Sequence, residues 1–109
     1  MEVRDLITKK NVEFLKALAD ETRLKILQFL GDKEMCQCDI IPAMDKSQST
    51  ISQHLQILTN AGVLESRKDG QRSLYKLKDE RIRKIVELVS SISKDSLLEI
   101  SKLAKIIGK

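Results

Sequence analysis

The sequence predicts a mostly α-helical domain that carries one small β-hairpin. Three observations point there. Apolar residues recur at helical spacing through most of the 109 residues. The period changes to strand-like alternation only around an Asp69-Gly70 turn signal. The composition, 33% charged and 3% aromatic, suits packed amphipathic helices better than a β-sandwich. A chain of this length builds one modest core, and pairing with a second copy would help to stabilise it.

Each element can be justified in order. In residues 12–20, Phe14, Leu15, Leu18 and Ala19 keep helical spacing. A second helix carries Leu24, Ile26, Leu27 and Leu30, with Asp20 as its cap and Gly31 as its stop. Pro42 would break a helix interior but is harmless at the third helical position, whose N–H has no intrahelical partner. Asp39 as N-cap puts it there and predicts a short helix over residues 40–44. After the turn at Asp45-Lys46 comes a longer helix. Its Ile51, Leu55 and Leu58 form one apolar stripe, and Asn60-Ala61-Gly62 ends it. Strands are expected over residues 63–67 and 72–77. Asp79 opens a last helical region with a stripe of Ile82, Ile85, Val86, Val89 and Ile92. Ser96 and Glu99 match a capping box, which predicts a separate final helix to about Ile107. Short helix, turn, longer helix and basic hairpin are the layout of a winged helix-turn-helix. The helix-turn-helix spans about 38–61, the wing about 63–77 and the C-terminal helices about 79–107, in a single domain.

The net charge of +4 permits a polyanionic partner without demanding one. No apolar run approaches the roughly 20 residues that cross a bilayer. The opening MEVRDLITKK has no apolar core of a secretory signal. A cytoplasmic protein with reduced thiols is therefore expected, and a structural disulfide is not. No nucleophile–base pairing or Gly-rich phosphate loop is present, so the sequence argues against an enzyme.

Three linked stretches carry a family resemblance. They are ALADETRLKIL at 17–27, EMCQCDI at 34–40 and SQSTISQHLQILTNAGVLESRKDGQRSLYKL at 47–77. In order and spacing they resemble the ArsR/SmtB winged-helix repressors, over roughly residues 11–90. Glu21 departs from that pattern, which commonly has proline there. The resemblance implies a homodimer, paired through its N- and C-terminal helices, that binds double-stranded operator DNA and releases it when an inducer binds.

A recognition helix presents small polar and amide side chains to base edges in the major groove. Gln48, Ser49, Ser52 and Gln53 suit that role, and Thr50 suits a phosphate contact. A solvated polar face is the plainer alternative. His54, the sole histidine, fits a DNA contact or a bridge between helices better than a metal site. Arg67, Lys68 and Arg72 make the hairpin a basic wing able to reach phosphates or the minor groove. A winged helix that binds protein rather than DNA is a second class of function.

Both cysteines, Cys36 and Cys38, lie just ahead of the expected short helix. The positive end of a helix dipole favours thiolate there. A thiolate pair suits As(III), Sb(III) or another thiophilic ion as effector, with no obligatory cofactor. Inside a regular helix the two would diverge by about 200°, so sharing one ion would require local unwinding. Reversible thiol oxidation and ordinary buried cysteines are the other readings. The resemblance implies a third thiolate three residues after the second cysteine, where this chain has Ile41. The family's C-terminal metal site would pair Asp79 with a histidine, and Arg81 stands in that place.

Overall fold

The computed structural model describes residues 2–108. The order is α1 (Val3–Leu18), α2 (Glu21–Leu30), β1 (Met35–Cys36), α3 (Gln37–Ala43), α4 (Gln48–Asn60), β2 (Leu64–Asp69), β3 (Arg72–Leu77) and α5 (Glu80–Ile107). It is a winged helix-turn-helix. The core lies between α2, α3, α4 and the sheet, and Ile26, Leu30, Ile40, Ile51, Leu55, Leu58, Val63 and Leu64 are fully buried there. The α4 stripe of Ile51, Leu55 and Leu58 is its centre, which leaves the opposite, polar face outward.

The chain leaves α4 through a tight cap. Gly62 takes φ +81°, its N–H donates to Thr59 O at 3.1 Å, and the Val63 N–H donates to Leu58 O at 2.9 Å. This is a Schellman closure, and the buried Val63 completes it against the helix. It sets the direction in which the wing starts. The wing itself is a two-residue hairpin in which Asp69 faces Arg72. Gly70, at φ +65°, supplies the first central position that such a turn needs.

Four features differ from the sequence expectation. Helix α1 begins at Val3, well before the apolar segment that signals it. A third strand, β1, pairs antiparallel with β3 through Met35↔Tyr75 and Cys36↔Leu74, giving the sheet order β1-β3-β2. Two residues are too short for any periodicity to reveal. Helix α3 starts at Gln37 with Cys36, not Asp39, as N-cap, so Pro42 sits near its end instead of its first turn. The helix closes two residues later, with the Met44 N–H donating to Ile41 O at 3.3 Å, so Pro42 costs it at most one bond, in its last turn. Finally, α5 is one continuous helix of 28 residues. Ser96 does not cap a new helix; its hydroxyl donates back to Ile92 O at 3.2 Å. No Gly or Pro interrupts residues 80–107, and extending a helix costs less than nucleating another.

Candidate nucleic-acid interface

Ser47 starts α4 from an extended backbone, and its Oγ accepts from the Thr50 N–H at 3.2 Å. Its hydroxyl also donates to Thr50 Oγ1 at 2.8 Å, so Thr50 is engaged within the cap. Gln48, Ser49 and Gln53 stand exposed on the outer face of the first turns. Ser52 is half-buried, and its Oγ accepts a 2.6 Å hydrogen bond from Gln37 Nε2 of α3. Of the residues expected to read DNA, Gln48, Ser49 and Gln53 are therefore exposed, whereas Thr50 and Ser52 are engaged and the Ser49 hydroxyl lies 3.2 Å from that of Ser47.

His54 does not join that row. Its ring is turned against α2, with Nδ1 at 3.1 Å from Arg23 Nη1 and 3.9 Å from Asp20 Oδ2. Arginine can only donate, so Nδ1 accepts. This is the helix-bridging geometry among the readings of His54, and it leaves only 16% of the side chain exposed. The physical reason is register: position 54 neighbours Leu55 on the edge of the stripe that faces the core.

The sequence did not signal the network around Arg23. Its Nε donates to Ala17 O at 2.7 Å and Nη2 to Lys16 O at 3.3 Å, which satisfies carbonyls at the end of α1. Its backbone N–H donates to Asp20 Oδ2 at 3.0 Å. That hydrogen bond is the main reason the Asp20 carboxyl titrates below its ordinary value. One arginine thus ties α1, α2 and the middle of α4 together.

The basic residues of the hairpin differ in how firmly they are held. Arg67 forms a bidentate pair with Glu34, at 2.7 and 3.0 Å, which ties β2 to the chain entering β1. The hydrogen bond from Arg67 holds the Glu34 carboxyl below its ordinary pKa. Arg67 thus positions the wing through Glu34. Lys68 Nζ donates to Ser73 Oγ at 2.9 Å, and Arg72 meets Asp69 at 3.3 Å with 57% of its side chain exposed. These two lie near the hairpin tip, where such solvated contacts hold a side chain only weakly.

The cysteines lie where the wing meets the helix-turn-helix. Cys36, buried, belongs to both β1 and the α3 N-cap, and its Sγ accepts from the Cys38 N–H at 3.1 Å. Cys38 is exposed in the first turn. The two are joined as a disulfide with their Cα atoms 5.1 Å apart, contrary to the expectation of separate thiols. Because Cys36 keeps an extended backbone (ψ 142°) outside the helix, the divergence expected of two helical positions does not arise. Both sulfurs meet without unwinding α3. They open onto a cleft of about 400 Å³ that Gln48 and Arg72 also line. Ile41 lines it too, where a third thiolate would stand. Among the described residues no three His, Cys, Asp or Glu side chains gather in a metal-holding group. At the start of α5, Asp79 caps the helix and binds the Arg81 guanidinium at 2.7 Å, so its carboxylate is committed.

Residues 20–66 match the family described as "Bacterial regulatory protein, arsR family". Over 85 residues the chain is 42% identical to an uncharacterised HTH-type transcriptional regulator, MJ1325, of Methanocaldococcus jannaschii, covering 77% of this chain and 96% of that protein. The chain belongs to the arsR family. Another relative, the arsenical resistance operon repressor of Escherichia coli, is 45% identical over 67 residues, which span 61% of this chain and 57% of that protein. Among solved structures, the homodimeric winged helix-turn-helix DNA-binding domain Mb0332 of Mycobacterium bovis superimposes with a TM-score of 0.80 at 27% identity, covering 87% of this chain and 88% of that one.

Proposed function

We propose that this arsR-family chain is a homodimeric transcriptional repressor that binds operator DNA, with an affinity set by the Cys36–Cys38 pair. The observation that carries the reading is the exposed row of Gln48, Ser49 and Gln53 on α4, flanked by the basic wing tip of Lys68 and Arg72. Amides of Gln48 and Gln53 suit base edges, and Ser49, Thr50 and Ser52 suit bases or phosphates. Lys68 and Arg72 supply sequence-independent charge, while Arg67 holds the wing in place. His54 contributes indirectly, as a support of α4 through Arg23.

A dimer is supported by apolar surface the monomer leaves in water. Helix α1 exposes Leu6, Ile7 and Leu15, and α5 exposes Leu88, Val89 and Ile92. Ile82 and Val86 of the same stripe are spent on the chain's own core. Two copies with their α4 helices in successive major-groove turns would read an inverted repeat.

The effector reading is a thiophilic species at the cysteine pair. The arsenical-resistance relative favours As(III), bound by two thiolates with an external thiol or hydroxide in the third place. A second reading, thiol oxidation, is favoured by the joined sulfurs. Titration of the DNA complex with As(III), Cd(II), Zn(II) and peroxide separates them. Release by an agent, lost in Cys36→Ser/Cys38→Ser, supports that agent's reading. A double variant that responds like the wild type contradicts both.

A further inference from the structure

Gln37 stands between the two cysteines, and its side chain leaves them for α4. Its Nε2 donates to Ser52 Oγ at 2.6 Å. On one side, Cys36 pairs across the sheet with Leu74 of β3, the central strand of the sheet and one arm of the wing. On the other, Cys38 sits in the first turn of α3. Three consecutive residues therefore connect wing, α3 and α4. Whatever fixes the two cysteine Cα atoms relative to each other also fixes the Gln37 backbone between them.

We propose that Gln37 is the positioning residue that carries the state of the cysteine pair to the DNA-reading helix. The inference rests on the DNA-binding reading above and adds the route by which the two are coupled. With the disulfide closed, Gln37 is held on Ser52, which sets the rotamer of a hydroxyl on the reading face. With the disulfide open, Gln37 gains backbone freedom, and the Ser52 hydroxyl loses its fixed donor. Closing the pair removes two protons and two electrons from the thiols. Hydrogen peroxide accepts them, its O–O bond breaks, and two waters leave. Dithiothreitol reverses the step by thiol–disulfide exchange. The coupling belongs to Gln37 because no other side chain of the Cys-x-Cys segment hydrogen-bonds α4.

The test compares affinities for a duplex selected by the wild type, measured after dithiothreitol and after peroxide. For the wild type the two dissociation constants differ by fivefold or more. In Gln37→Ala the ratio falls to within twofold of one, whatever happens to the affinities themselves. Ser52→Ala has the same effect, and the double variant has no more. A purely structural role would shift both affinities together and leave the ratio intact. Failure of the wild type to bind any duplex in either state overturns the DNA-binding reading and this proposal with it. Sequence-specific binding with equal affinity in both states, or a wild-type ratio in Gln37→Ala, overturns the proposal alone.

Discussion

Polar residues that look alike along α4 have different fates. Gln53 is exposed, whereas Ser52 is engaged by Gln37 and His54 by Arg23. Gln53→Ala is expected to cost about 1–3 kcal/mol of discrimination between the selected site and its variants, with little change in non-specific affinity. A fluorescence-anisotropy series over single-base substitutions measures this. Lys68→Ala with Arg72→Ala should act the other way. Affinity for all duplexes falls together, and the log–log salt slope flattens by about one for each lost phosphate contact. The polar face was legible from helical spacing around Ile51, Leu55 and Leu58. That Ser52 and His54 are held was not, because their partners lie 15 and 31 residues away. No local pattern reports a hydrogen bond at that separation. The same holds for Arg67, whose partner Glu34 is 33 residues distant.

At the scale of elements, the helix-turn-helix stands on the α4 stripe. Leu55 is fully buried, and Leu55→Ala should lower unfolding stability by about 2–5 kcal/mol, measured by denaturant titration. Helix α5 depends on its N-cap. The hydrogen bond from Arg81 lowers the Asp79 pKa from 3.8 to about 2. A carboxyl whose folded pKa is depressed stabilises the fold above its unfolded value, and that contribution is lost as pH falls through the folded value. Acid titration followed by circular dichroism should therefore show wild-type α5 weakening between about pH 4 and pH 2. Asp79→Asn, which caps without titrating, should lack that step. The helices and the hairpin were legible from period and turn chemistry. The start of α3 was not. Asp39 and Cys36 both offer a capping atom, and only the β1–β3 pairing, a long-range contact, holds Cys36 in the extended conformation that an N-cap needs. The joined sulfurs follow from that same displacement.

At the scale of the whole molecule, the described chain measures 60 × 44 × 23 Å, drawn out by an α5 whose second half stands away from the core. Leu97, Ile100 and Leu103 are exposed there, as are Val89 and Ile92 nearer the domain. Val89→Asp with Ile92→Asp should yield a folded monomer by sedimentation, with unchanged circular dichroism, because neither side chain serves the monomer core. The same variant should bind a single half-site weakly and the full site no better.

In vitro selection from a random duplex library is the sharpest check on whether α4 and the wing read DNA as a symmetric pair. Enrichment of an inverted repeat with half-sites about one helical turn apart, bound less tightly as salt rises, is expected. Failure to enrich any sequence, or binding indifferent to salt, would contradict that mode of reading.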